Sequence, residues 1–167
     1  MNSPFKNWEQ YYLTIAFLVA LKSKDASSKI GAVIVSEDNS IISTGYNGLP
    51  KGVNDDVPSR HERPEKYEWF EHAERNSIYL AAFNGVRLKN ATMYTNGTPC
   101  SGCGGAIIQS GIKKVVVSKK WDKGNAKKWN DSSIMSIEKF KESGIELVQS
   151  EMDIVKEIFM FQNGKIV

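Results

Sequence analysis

Residues 91–118 read ATMYTNGTPCSGCGGAIIQSGIKKVVVS. The pattern predicts a strand over 91–96, a helix over 100–110 and a second strand over 114–118, an order that calls for a sheet with helices laid on it. Working back towards the start, 66–83 has a helical pattern. Residues 48–63 are rich in Gly, Pro, Asp and Arg and are expected to form a long loop, the kind of segment that often carries function. Before it, the apolar run 31–36 predicts a buried strand, 37–40 has turn chemistry, and 41–46 completes a hairpin. A first helix is expected to bury Trp8, Tyr11, Tyr12, Ile15, Leu18 and Val19. Working forward, 121–129 is a polar, lysine-rich connection, 133–143 a helix, 145–148 a short strand and 152–161 a closing helix. Helices and strands alternating after an initial hairpin imply an α/β fold with a mixed sheet, in one domain spanning 1–167.

The 167 residues are 41% hydrophobic and 25% charged, ordinary for a globular protein. A net charge of +3 is too mild to argue for nucleic-acid binding by itself. The apolar run 13–21 is too short to span a bilayer, and the segment before it lacks the positive charge of a secretory signal. No membrane association is expected. Two cysteines three residues apart cannot frame a disulfide-stapled fold, so the default compartment is the reducing cytoplasm.

The chemistry concentrates in His72-Ala73-Glu74 and Pro99-Cys100-Ser101-Gly102-Cys103. Catalytic zinc takes three protein ligands and keeps one position for water, and one imidazole with two thiolates meets that count. Cysteines three apart on the first turn of a helix face the same way, and the helix N-terminus favours anionic sulfur. Pro99 suits a helix start. Glu74, two residues from His72, is close enough to a metal to move protons without being a ligand. A Cys-x-x-Cys can instead be a redox pair or half of a structural zinc site. The accompanying His-x-Glu opposes the first, and the lack of a third cysteine opposes the second.

These two motifs form the signature of the zinc nucleobase deaminases. With residues 29–35, 45–50 and 106–112, they make the sequence resemble the cytidine and deoxycytidylate deaminase superfamily, particularly its deoxycytidylate branch. The resemblance implies a three-layer α/β/α fold around a mixed five-stranded sheet. It implies Zn²⁺ on His72, Cys100 and Cys103, with Glu74 as acid and base, and hydrolysis of dCMP to dUMP and ammonia by a zinc-bound hydroxide. In the substrate site it places Asn47 on the sugar, the Ala73 amide and Thr98 carbonyl on the base edge, Val33 packing on the base, and Trp121 nearby. Arg75 stands where many relatives carry an apolar residue, and is expected either to reach the substrate phosphate or to lie on the helix surface. Regulation by dCTP with Mg²⁺ and by dTTP would involve Gly45, Tyr46, Asn47 and Gly48. Relatives assemble as homo-oligomers.

Other readings stay open at the level of sequence. Lys119, Lys120, Lys123, Lys127 and Lys128 cluster around Trp121. They could meet a substrate phosphate, line a groove for a polynucleotide, or simply be solvated. Arg60, His61 and Arg63 form a second basic cluster, which could also meet a phosphate or be solvated. The substrate could be another cytosine nucleotide, such as CMP, dCTP or a C5-substituted dCMP, and a non-enzymatic nucleotide sensor is the remaining alternative.

Overall fold

The computed structural model of the chain describes residues 3–125, 130–156, 161–162 and 165–166. Five strands form one sheet: β1 (Gly31–Val35), β2 (Ile41–Tyr46), β3 (Thr92–Thr95), β4 (Lys114–Ser118) and β5 (Glu146–Ser150), in the order β2-β1-β3-β4-β5. β1 runs antiparallel to both β2 and β3, while β3, β4 and β5 are parallel. The mixed sheet expected from the hairpin and the alternation that follows is therefore present. A separate short pair, β6 (Phe161–Gln162) and β7 (Lys165–Ile166), is antiparallel.

Alternate side chains along each strand serve opposite faces. Val33, Val35, Tyr94 and Val116 pack with Tyr12, Leu13 and Ala16 of α1 (Trp8–Ala20). Ile34, Met93, Val115 and Val117 form a second cluster with Ile78, Ile107 and Phe140. These last three come from α3 (Ala73–Phe83), α4 (Ser101–Gln109) and α6 (Asn130–Ser143). The result is one helix on one face of the sheet and three on the other, the three-layer arrangement.

Of the stripe expected on the first helix, Tyr12 is buried and Tyr11, Ile15 and Val19 pack half-buried against the core, but Trp8 and Leu18 turn outwards. Trp8 is 57% and Leu18 47% exposed, while Tyr12, Leu13, Ala16 and Ala20 face the sheet. The small Ala16 and Ala20 let the helix backbone come close to β1, and the bulky residues flank that seam. Gln10 and Thr14 are also buried, although polar. They take backbone groups of the segment after β5: Gln10 Nε2 donates to the Asp153 carbonyl at 2.7 Å, and the Val155 amide donates to Thr14 Oγ1 at 3.1 Å. The expected closing helix over 152–161 is corrected accordingly. Residues 151–156 are irregular because their backbone bonds go to α1, and 161–162 are strand; 157–160 lie outside the described residues.

Two further differences shape the site. The helical stretch expected over 66–83 is broken into α2 (Lys66–Trp69) and α3. Glu71 leaves the helix to pair with Gly48, amide to carbonyl in both directions at 2.8 and 3.1 Å. The connection after β4 is partly helical: α5 (Lys119–Asn125) starts after Ser118, whose Oγ accepts from the Trp121 amide at 3.4 Å.

Candidate active site

His72 and Cys100 are the N-cap residues of α3 and α4, and neither side chain caps its own helix. Both turn towards each other instead. His72 Nδ1 lies 3.5 Å from Cys100 Sγ and 3.5 Å from Cys103 Sγ. Tetrahedral zinc, with bonds of about 2.0 Å to nitrogen and 2.3 Å to sulfur, holds those atoms about 3.5 Å apart. The three side chains therefore fit a single zinc ion. The break after α2 makes this possible, because it stops α3 from starting before His72. Two helix N-termini converge here, and their dipoles favour negative charge.

The protonation of the cluster follows from its contacts. The hydrogen bond from Cys103 holds the Cys100 thiol down at about 3, overcoming burial, with His72 adding in the same sense. Cys103 is pushed up by that same bond and by burial. The His72 imidazole is raised, first by its bond to Cys100. Glu74, 5% exposed, has its carboxyl raised by burial, which the nearby His72 opposes. A buried carboxyl that holds its proton more tightly than usual suits proton transfer near neutral pH.

His72, Ala73, Glu74 and Cys100 open into a cavity of about 280 Å³. Asn47, Thr98 and Trp121 line it too. Asn47 is locked in place: its Oδ1 accepts from the Ile30 amide at 2.8 Å, and its Nδ2 donates to the Ser28 carbonyl at 2.9 Å and to Asp25 Oδ2 at 3.2 Å. Ala73 is the first residue of α3, so its amide has no partner within the helix.

Other expected residues are placed elsewhere. Val33 is fully buried under α1, in the core rather than the cavity wall; Ile30, three residues earlier, lines the cavity. Arg75 is outside the lining, its guanidinium bound in a bidentate pair to Glu71 at 2.8 and 2.9 Å. Of the lysine cluster, Lys119 pairs with Glu151 and Lys120 with Asp153. The side chain of Lys123 and the whole of Lys127 and Lys128 lie outside the described residues. His61 bonds to the Asp55 carbonyl, and Arg60 stacks over Trp69. Gly45 packs against α3: a Cβ there would lie 2.4 Å from the Ala73 carbonyl oxygen. Tyr46 is 38% exposed, and Gly48 forms the bridge to Glu71.

Sequence reasoning missed the opposite wall apart from Arg63. Lys66 Nζ is buried and binds both Asp25 oxygens, at 2.8 and 3.0 Å, and Ser27 Oγ at 2.7 Å. All of these residues line the cavity. The Lys66 ammonium holds the Asp25 carboxyl at about 2 despite the burial that pushes it up, with help from Ser27. Arg63 lines the same region, its Nη2 at 3.5 Å from Ser27 Oγ. An Asp and a Lys 41 positions apart leave no spacing signal in a sequence. Asp122 is the other omission, although it stands next to Trp121.

The family model for the cytidine and deoxycytidylate deaminase zinc-binding region matches residues 6–119. The chain is 39% identical over 117 residues to human deoxycytidylate deaminase, a match covering 67% of this chain and 65% of that protein. It thus spans just under two thirds of the human relative. It is 38% identical over 158 residues to deoxycytidylate deaminase of Enterobacteria phage T2, covering 71% of this chain and 83% of the relative. The crystal structure of dCMP deaminase from cyanophage S-TIM5 in apo form superposes with a TM-score of 0.67 at 24% identity, covering 85% of this chain and 96% of that one. At that identity it bears on the fold. The family match extends over more than half of the chain, which belongs to the cytidine and deoxycytidylate deaminase zinc-binding family.

Proposed function

We propose that the chain catalyses hydrolytic deamination of dCMP to dUMP and ammonia. The observation that carries this is that buried Glu74 lines the same cavity as His72 and Cys100 of the His72–Cys100–Cys103 set. The deoxycytidylate deaminases among its relatives support the substrate. Zinc bound by those three ligands lowers the pKa of a water towards neutrality. Glu74 accepts a proton from the water and delivers it to N3 of the cytosine, then assists departure of ammonia. Its raised carboxyl pKa makes the carboxylate a stronger base and favours the accepting half of that exchange. The free Ala73 amide and the Thr98 carbonyl read the base edge, locked Asn47 accepts from the sugar hydroxyl with its remaining lone pair, and Trp121 covers the nucleoside.

A phosphate needs a cation, and among the described residues Arg63 and Lys66 are the lysine or arginine side chains in the lining. Lys66 is neutralised by Asp25, leaving Arg63 to face an anion. This favours a nucleotide over a nucleoside. In the segment expected to meet a regulatory nucleotide triphosphate with Mg²⁺, two residues have other work in the structure. Packing against α3 accounts for Gly45, and the cavity wall accounts for Asn47.

The test is ammonia release by zinc-loaded protein from dCMP, 5-methyl-dCMP, CMP, dCTP, deoxycytidine and a cytosine-containing oligonucleotide. Preference for dCMP, with deoxycytidine far behind, is the expected result. Turnover of the oligonucleotide alone would move the activity to polynucleotides, and silence across the panel would leave a sensor.

A further inference from the structure

The loop between β3 and α4 carries both the Thr98 carbonyl and the ligand Cys100, and α5 grips it from outside. Asp122 takes the Thr98 amide on Oδ1 at 2.8 Å and the Thr98 hydroxyl on Oδ2 at 2.6 Å. Both carboxylate oxygens are therefore spent on one residue, in charge-assisted bonds that are stronger than neutral ones. A second observation is independent of these bonds. A Cβ at Gly97 would lie 2.7 Å from Trp121 Cδ1 and 2.9 Å from Asp122 Oδ1. The loop and α5 approach so closely that only glycine fits between them. Thr98 precedes a proline, so its backbone is held to extended conformations, and Pro99 has no amide with which to anchor the loop. The clamp supplies that anchor, and both Thr98 and Asp122 line the cavity.

We infer that Asp122 is a positioning residue for substrate selection: by fixing Thr98 it aims the Thr98 carbonyl at the exocyclic group of the base. The inference rests on the function proposed above. A fixed carbonyl accepts a hydrogen bond from the amine of cytosine. It meets only another acceptor when the base is uracil, so it tells substrate from product. A loop free to turn the carbonyl away binds cytosine less well and loses nothing with uracil.

The experiment measures equilibrium binding of dCMP and dUMP to zinc-loaded protein in a Glu74→Gln background, which removes turnover, together with zinc content. Asp122→Ala is expected to weaken dCMP binding about tenfold, the equivalent of one hydrogen bond, with dUMP affinity and zinc content unchanged. Asp122→Asn is expected to restore dCMP binding, because the amide oxygen accepts from the Thr98 amide and its NH₂ donates to the hydroxyl. Equal weakening of both nucleotides in Asp122→Ala, or loss of zinc, would reduce Asp122 to a structural support. An Asp122→Asn variant as impaired as Asp122→Ala would make the negative charge the active element and overturn the positioning role. If the parent protein binds neither nucleotide, the inference falls together with the function beneath it.

Discussion

In the proposed reaction, Glu74 is the residue on which the chemistry turns. It is buried, its carboxyl holds its proton more tightly than usual, and it stands two positions from a zinc ligand without being one. Glu74→Gln should retain zinc and lose turnover by about 10²–10⁴-fold, the range for removing a general acid–base group. Metal analysis beside the ammonia assay checks this, and an active variant would refute the proton shuttle. Cys100→Ala, in contrast, should lose the metal and the activity together. At this scale the sequence was most legible where chemistry dictates spacing: His72 and Glu74 two apart, Cys100 and Cys103 three apart, all four now around one point. It was least legible where direction decides. Val33 lies on a strand buried on both faces, and alternation alone could not say whether it meets α1 or a ligand. Arg75 shares a helix turn with Glu74 but swings back to Glu71, four residues earlier.

Among the elements, the segment between α1 and β1 and the short helix α2 are joined by the buried pair of Asp25 and Lys66, with side chains 8% and 9% exposed. The Asp25 carboxyl is held at about 2, below its ordinary 3.8. A carboxylate lowered in the folded state stabilises above its unfolded pKa, and that stability drains away as pH falls from near 4 towards 2. The shift corresponds to roughly 2 kcal/mol. Urea unfolding at pH 6 and pH 3 should show about half of that loss, roughly 1 kcal/mol, and Lys66→Met should cost more, about 3–5 kcal/mol, because it strands a buried charge. An acid-insensitive protein would disprove the first expectation. Elements were legible wherever local pattern and tertiary demand agree, as in the hairpin and the strand–helix–strand around Cys100. They were misread where distant partners prevail. Gly48 draws Glu71 out of a helix, α1 draws residues 151–156 into an irregular path, and small alanines rather than the aromatic Trp8 face the sheet.

For the molecule as a whole, the proposed zinc ligands join the N-termini of two helices that stand on the same face of the sheet. A metal that binds only the assembled set stabilises it by mass action, by about 4 kcal/mol when free zinc exceeds its dissociation constant a thousandfold. Stripping zinc with a chelator should lower Tm by several degrees, and adding zinc back should restore it, as read by calorimetry. An unchanged Tm would mean that the three side chains do not close on a metal.

The cavity wall also crosses a boundary along the chain. His72, Glu74, Cys100 and Cys103 fall within the matched stretch 6–119, whereas Trp121, Asp122, Ser133, Ile134, Ile137 and Gln149, which close the cavity, come after it. One wall of the pocket is thus written in a later portion of the polypeptide than the His72, Glu74, Cys100 and Cys103 set, while Asn47, Arg63, Ala73 and Thr98 share the earlier portion with that set. A lineage, or an engineer, could rewrite that later wall and reshape the pocket while leaving the His72, Glu74, Cys100 and Cys103 set untouched.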